Sequence, residues 1–316
     1  MFDVITVGTA TQDVFLRLVH GKANCFVEGS KNEVEKPIFT TGGGAVNAAV
    51  TFSRQGLKTG ILCRIGDDDY GGALWKELEK ENISFWKLKD QDLGTGYATV
   101  LLSASGERTI LSYRGASENL QNKEIPFSEL KSKWLYIVPS RIDILTMEKL
   151  VEHCHYQGIT IAMNPSKFYL EKGAKNLKPF LDKIKVLIVN KEEASALTGF
   201  TEKRDVFKKL DELIKGIAIM TDGHNGVWVS NGKKLYQAEV FKEKIIADRT
   251  GAGDAFGSGF VAGLLLKEDI EYAIRLGSAN ATSVVEHVGA HTGTLRKYEF
   301  ENESRWKNLE VKTHEL

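Results

Sequence analysis

Cysteine is scarce in this chain. Cys25, Cys63 and Cys154 are the three among 316 residues, too few and too scattered for a disulfide framework. Neither sign of charge is in excess: Lys plus Arg equals Asp plus Glu at 42 each, which leaves no broad electrostatic footprint for nucleic acid or an anionic membrane. Long apolar runs are also missing, since the longest, around Val261 to Leu266, falls well short of the roughly 20 residues a membrane span needs. No low-complexity block, heptad or internal repeat stands out, and G-x-x-x-x-G-K-[ST] is absent, which argues against a P-loop enzyme. Residues 3 to 8 (DVITVG) resemble a first core strand rather than a signal peptide. His153-Cys154-His155 is the one cluster of potential metal ligands, and adjacent helical positions point apart. The expectation is a cytoplasmic protein that handles a small molecule, with no nucleic-acid or membrane partner.

What is present is enough for a large α/β core, with 42% hydrophobic residues. From about residue 42 the chain alternates helical patterns (GGALWKELEKEN, TEKRDVFKKLDELIK) with short apolar strands: TGILCRI, KWLYIV, GITIAM, KVLIVN and IAIMTD. Strands this uniformly apolar fit a doubly wound, mostly parallel sheet covered by helices on both faces, with ligands at the carboxyl ends. Two regions break the rhythm. Residues 12–40 contain QDVFLRLV and KPIFT, and residues 96–114 contain GYATVLLSAS and RTILSYR around a polar Gly106-Glu107 turn. They are expected to form a small inserted β-sheet lid, leaving residues 1–11, 41–95 and 115–316 as the large domain. A lid that excludes water suits a transfer reaction with which water competes.

The most informative stretch is Asp248-Arg249-Thr250-Gly251-Ala252-Gly253-Asp254-Ala255-Phe256. Residues 240–247 (VFKEKIIA) read as a strand before it, and AFGSGFVAGLLL reads as a helix after it. A glycine turn here leaves the amides of Gly251, Ala252, Gly253 and Asp254 free to converge on an anion, with the helix dipole behind them. Beside that anion, the Asp254 carboxylate suits the removal of a proton from an attacking hydroxyl, so the pattern points to phosphoryl transfer to an alcohol. An ordinary helix entry with Asp as N-cap explains the same residues without chemistry. A dinucleotide-binding reading fits less well. Gly251, Gly253 and Gly257 give G-x-G-x-x-x-G, one residue longer than the fingerprint and late in the chain, although Glu271 lies near the offset of a ribose-binding acid.

Further candidates cluster at other strand ends. Thr41-Gly42-Gly43-Gly44-Ala45-Val46-Asn47 joins a strand to a helix through three glycines, with Gly43 open to close approach and Asn47 able to bond a sugar hydroxyl. Asp13, just past the first strand, suits paired hydroxyls. Asn190-Lys191-Glu192-Glu193 either caps a helix or brings Glu193 and Asn190 to a water-bound Mg²⁺ near nucleotide phosphates. Thr221-Asp222-Gly223 and Gly226 either flank a nucleotide or turn a hairpin.

Taken in order, GGGAVNAA, NKEE and DRTGAGDAF resemble the signatures of the PfkB or ribokinase-like family of carbohydrate and nucleoside kinases, over nearly the whole chain. The resemblance implies a ribokinase-like fold and an ATP-dependent, Mg²⁺-requiring kinase. Asp254 would be the base acting on a hydroxyl, primary by expectation, and Gly251, Ala252, Gly253 and the Asp254 amide the anion hole. Asp13, Gly43 and Asn47 would bind substrate, with Asn190, Thr221, Gly223 and Gly226 on the ATP side. It further implies K⁺ beside the anion hole, at Asp248, Thr250, Val284 and Gly289. The lid's exposed β edges either pair between two subunits, which gives the expected homodimer, or are covered internally. Gly44 stands where ribokinase-like members have lysine, and Pro139 where they offer a sugar-binding acid, so ribose itself is disfavoured. Arg249 stands where small or neutral residues are usual. Arg114 either meets an anionic substrate group or faces solvent. The substrate is expected to be a sugar or sugar derivative, with a nucleoside as the nearest alternative. Phe15, Phe39 or Tyr97 would stack on a base or pack the lid. An NAD-dependent oxidoreductase and a non-catalytic sugar-binding protein are the alternatives from other classes.

Overall fold

Alternation of buried side chains builds the central sheet. In the strand Phe2–Gly8, Ile5 and Val7 join one helical layer and Val4 the other, and all three are fully buried. The protein is described by a computed structural model covering residues 1–19, 28–102 and 108–315. From one edge to the other, its ten-stranded sheet runs Ser84–Phe85, Thr59–Leu62, Phe2–Gly8, Ser132–Val138, Thr160–Met163, Val186–Asn190, Ile217–Thr221, Val227–Ser230, Lys234–Ala238 and Val311–Glu315. The first seven are parallel, and the last three form an antiparallel border.

Two helical layers sandwich the sheet. Ile144–Tyr156, Gly173–Leu181, Lys191–Thr198 and Lys203–Leu213 pack on one face through Leu150, Phe180, Leu197 and Phe207. On the other lie Gly44–Arg54, Ala252–Lys267 and Ile270–Val285, through Phe52, Phe260 and Ile274. The helix Ala252–Lys267 is buried over most of its length, which is why its apolar residues show no single stripe. From Phe2–Gly8 the chain passes to Thr59–Leu62 on one side and later to Ser132–Val138 on the other. That reversal opens a crevice at the carboxyl ends of Phe2–Gly8 and Ser132–Val138, where open α/β sheets bind ligands.

A separate four-stranded sheet, ordered Ile38–Gly42, Thr11–Arg17, Gly96–Leu102, Arg108–Tyr113, is built from the two regions that break the α/β rhythm. Its last two strands pair antiparallel as the hairpin pattern predicts, and the Gly106-Glu107 turn lies outside the described residues. Phe15 belongs to the small sheet's own core with Val100 and Leu102, Phe39 is exposed, and Tyr97 lies beside Tyr70.

Two sequence expectations fail. Residues 240–247 form no strand: the amides of Ala247 and Asp248 donate instead to the Val285 carbonyl at the end of a helix. Lys242, Glu243 and Lys244 interrupt the apolar pattern there, so the segment has no continuous face to bury. TGILCRI is split at Cys63, because Thr59–Leu62 stays in the large sheet while Arg64–Gly66 pairs with Leu88–Asp90 in a two-stranded sheet. Cys63 and Cys154 are free and buried, and Cys25 lies outside the described residues. No group of three or more His, Cys, Asp or Glu side chains able to hold a metal occurs among the described residues. Nor is any described helix long and apolar enough to cross a membrane.

Candidate active site

The helix Ala252–Lys267 begins without a side-chain cap. Gly251 takes the N-cap position at φ 80°, and a Cβ there would stand 2.0 Å from the Ala290 carbonyl oxygen, so only glycine fits. Ala255 makes the first intrahelical bond, to the Gly251 carbonyl, which leaves the amides of Ala252, Gly253 and Asp254 without acceptors inside the helix. Gly253 is exposed and faces open space.

Asp254 lies in this first turn but does not cap it. Its Oδ2 accepts a hydrogen bond from the Asn47 amide at 2.8 Å, which ties the helix to Gly44–Arg54. Burial raises its pKa, and the Asn47 bond opposes that rise. Although packed deep in the protein, Asp254 keeps access to solvent through the cavity that it lines. A desolvated carboxylate with its pKa moved toward neutrality is suited to general-base work.

Two cavities meet at this helix end and share Thr221 and Gly253. The first, about 350 Å³, has polar walls that include Thr9, Ser140, Asn164, Ser166, Asn190, Glu193 and Asp254. Neither an aromatic ring nor a cationic side chain lines it among the described residues. The second, about 250 Å³, is mainly apolar, with Val227, Val240, Phe256, Ala281 and Val285 in its walls and Gly223, Gly226, Arg108 and Arg249 also lining it. The segment Thr221 to Gly226 turns a hairpin between antiparallel strands, and its Thr221, Gly223, His224 and Gly226 line the apolar cavity.

Gly43 has φ 90°, and a Cβ there would press on the Thr9 carbonyl at 2.5 Å, so the strand-to-helix turn closes onto the first strand's exit. Asp13 is 5% exposed and sits against Gly42, with Thr11 donating to its Oδ1 at 2.7 Å. Desolvation pushes its pKa up to about 6 against the Thr11 bond, and the charge of Asp248 adds to the rise. Asp13 is not among the residues lining either cavity. Asn190 and Glu193 form a reciprocal capping box, with Glu193 N–H on Asn190 Oδ1 at 2.8 Å and Asn190 N–H on Glu193 Oε2 at 2.9 Å, and both also line the polar cavity. Burial raises the pKa of Glu193.

Asp248 is fully buried. Its carboxylate accepts the amide and hydroxyl of Thr250 and the Gly289 amide, while the Val284 carbonyl accepts His287 N–H. Arg114 donates to Ser140 at 2.8 Å and to Glu118 at 3.0 Å. Glu271 pairs with Arg275 on the helix Ile270–Val285 and lines neither cavity, which leaves the dinucleotide reading without its acid.

Sequence reasoning missed Thr9, Asn164, Tyr136 and Ser140. Thr9 and Asn164 each follow a parallel strand, a position that the carboxyl-end rule marks in advance. Tyr136 is fully buried beneath Gly257, where a Cβ would come 2.6 Å from its hydroxyl. That contact accounts for the third glycine of G-x-G-x-x-x-G. Burial first, and the Asp254 charge second, hold the Tyr136 hydroxyl well above its ordinary pKa, with Asn164 opposing. Ser140 has φ 49°, unusual for a residue with a side chain, directly after Pro139 in the cavity wall.

The profile of the family described as "pfkB family carbohydrate kinase" matches residues 1–297. A ribokinase of Bacillus subtilis is 27% identical over 264 residues, covering 82% of this chain and 86% of that protein. A cytidine kinase of Thermococcus kodakarensis is 25% identical over 296 residues, covering 92% and 98%. Among solved structures, a probable sugar kinase from Rhizobium etli superposes with a TM-score of 0.82 at 20% identity, covering 95% of this chain and 98% of that one. A ribokinase of Arabidopsis thaliana complexed with ribose and ATP gives a TM-score of 0.79 at 19% identity, covering 97% and 99%. These two structural likenesses speak for the fold.

Proposed function

The chain belongs to the pfkB family of carbohydrate kinases, phosphotransferases with an alcohol group as acceptor, and from that premise we propose an ATP-dependent sugar kinase with Asp254 as its general base. The observation that carries this reading is the meeting of a polar and an apolar cavity at the uncapped helix end. A nucleotide in the apolar cavity brings its terminal phosphate to the amides of Ala252, Gly253 and Asp254. A sugar in the polar cavity presents a hydroxyl, primary by this reading, to the Asp254 carboxylate. That carboxylate takes the proton as the hydroxyl oxygen attacks phosphorus, the bond to the leaving diphosphate breaks, and the amides stabilise charge on the transferred group. Asn47 orients Asp254. Asp13 and Gly43 bind the substrate when the small sheet closes.

A sugar is favoured over a nucleoside because the polar cavity offers hydroxyl and amide groups and, among the described residues, no ring on which a base would stack. Arg114 is already engaged by Glu118 and Ser140, so a neutral sugar is favoured over a sugar phosphate or sugar acid. The NAD-dependent reading falls with the family assignment.

The residues fit Mg²⁺ held by the nucleotide and reached through water. Glu193 Oε2 is spent on the cap while its other oxygen has no hydrogen-bond partner among the described residues, and Asn190 stands beside it in the cavity wall. When bound, Mg²⁺ would neutralise phosphate charge. A K⁺ site draws less support. The Asp248 carboxylate already accepts Thr250 and Gly289, and the Val284 carbonyl at the end of its helix accepts His287 N–H, so a cation there rests on Thr250 and Gly289. The exposed edge strand Arg108–Tyr113 and exposed Phe39 support a homodimer paired through the small sheet, which light scattering would test.

The decisive experiment incubates the protein with ATP and Mg²⁺ against pentoses, hexoses, sugar phosphates, sugar acids and nucleosides while ADP release is followed. ADP released with neutral sugars is expected. Release with nucleosides alone would replace the sugar reading, and no release across the panel would favour a non-catalytic sugar-binding protein.

A further inference from the structure

Val288, Gly289, Ala290 and His291 tie the small sheet to the anion hole. Val288 packs against Phe15, Val100 and Leu102, the small sheet's own core. The Gly289 amide donates to Asp248 at 3.2 Å, and the Ala290 carbonyl stands where it bars any Cβ at Gly251, the residue from which the anion-hole amides start. His291 reaches the small sheet again, its Nε2 3.0 Å from Thr41 Oγ1 on the strand Ile38–Gly42. Among the described residues this is the hydrogen bond that joins the loop to the small sheet. Both side chains are buried, and His291 Nδ1 has no partner among the described residues. Burial first, and the Arg54 charge second, hold the imidazole pKa below its ordinary value, so the ring is neutral. A buried polar ring with a single polar contact costs free energy that an apolar side chain of its size would not. What histidine adds here is the tie to Thr41. The far side of the loop is fixed to the large domain: Arg54 donates to the carbonyls of Thr292 at 3.2 Å and Thr294 at 2.9 Å, and Gln55 to that of Leu295 at 2.8 Å.

We infer that His291 is a positioning residue for phosphoryl transfer: through its bond to Thr41 it sets the anion hole according to where the small sheet stands. The chemistry in this rests on the kinase reading, and the linkage does not. With the Leu295 end of the loop held by Arg54 and Gln55, a shift of Ile38–Gly42 is taken up at Val288 and His291 and passed through Ala290 to Gly251, since close-packed contacts transmit displacement. The amides of Ala252, Gly253 and Asp254 then reach their working geometry when the small sheet is seated on the sugar. Without sugar, ATP meets an incomplete anion hole, and water is denied the same reaction.

The test compares the full chain with Thr41→Val, which keeps the branched shape and removes the hydroxyl, with His291→Ala, with the two combined, and with His291→Gln, which supplies an amide in place of Nε2. Hydrogen exchange read by mass spectrometry, with no ligand added, should quicken over residues 248–256 in Thr41→Val, although Thr41 forms no hydrogen bond to that segment. With the sugar that gives most ADP release, kcat should fall by about tenfold or more in Thr41→Val and in His291→Ala. The combined variant should be no worse than the poorer single one, because both remove the same bond, and His291→Gln should recover most of the loss. A purely local role would confine faster exchange to residues 38–42 and 288–294 and leave kcat as it was. Parent-like exchange at 248–256, parent-like kcat in Thr41→Val, or losses that multiply in the combined variant would each overturn the inference. Linked exchange in a protein that releases no ADP with any substrate would uphold the linkage and sink the kinase reading.

Discussion

Two helices point their amino ends at the same polar cavity, and they treat their unsatisfied amides in opposite ways. Lys191–Thr198 closes its own end, since the side chains of Asn190 and Glu193 each accept the other residue's backbone amide. Ala252–Lys267 leaves its end open. Gly251 has no side chain with which to cap, and Asp254, the acid in the first turn, bonds Asn47 instead of the backbone. The first arrangement stabilises a short helix, and the second keeps amides and dipole available to an incoming anion. An end that forgoes its cap, on a helix anchored by burial through Phe260, Val261 and Ala262, marks where a ligand is expected.

The contrast is sharpened most by removing the charge at the open end. Asp254→Asn should keep the fold, because the helix does not depend on that carboxylate for capping, and should lower the kinase rate by about 10²- to 10⁴-fold. Circular dichroism and ADP release measured on the same sample check both halves. A variant with near-normal turnover would remove the general-base role.

Gly251→Ala attacks the geometry of the open end. A left-handed φ and a carbonyl 2.0 Å from the new Cβ should together destabilise by more than about 2 kcal/mol, read in denaturant melts. Asp13→Asn comes next. The folded pKa of Asp13, about 6, lies above its unfolded value, so the protonated acid's contribution to stability is complete below about pH 4 and lost as pH rises through 6. The amide variant should therefore exceed the parent by on the order of 2–3 kcal/mol at pH 8, with the gap closing near pH 4, while sugar affinity falls.

At the closed end the effect is smaller. Asn190→Ala should cost about 0.5–2 kcal/mol through the lost cap. If Glu193 also orders water around Mg²⁺, the Mg²⁺ concentration for half-maximal rate should rise as well. A stability loss with unchanged Mg²⁺ dependence would reduce Asn-x-x-Glu to its structural role.

Both helix ends were legible in the sequence because their signals are local: three or four neighbouring residues define a cap or a glycine turn. The parallel core was legible for a similar reason, since strands buried on both faces carry nearly continuous apolar runs. Ser140 and Tyr136 were not. Their importance comes from where distant strands place them, Tyr136 under Gly257 and Ser140 between Arg114 and Ser166, and no spacing along the chain encodes that. Segment 240–247 misled because its apolar residues imitate a strand, while the Ala247 amide bonds the end of a helix and the Lys244 amide the Glu286 side chain.

Gly253→Ala gives the smallest expected change and the cleanest division between the two glycines of the turn. Gly253 has no positive φ, and nothing stands within 4 Å of where its Cβ would be, so alanine meets neither the strain nor the clash predicted at Gly251. In a helical first turn the substitution should leave stability unchanged or raise it by up to about 1 kcal/mol. The new methyl projects into the space shared by the two cavities, so the KM for ATP should rise while the melting temperature holds. A fall in stability comparable to that of Gly251→Ala would mean that both glycines serve the backbone, and that openness at Gly253 is not what admits the phosphate.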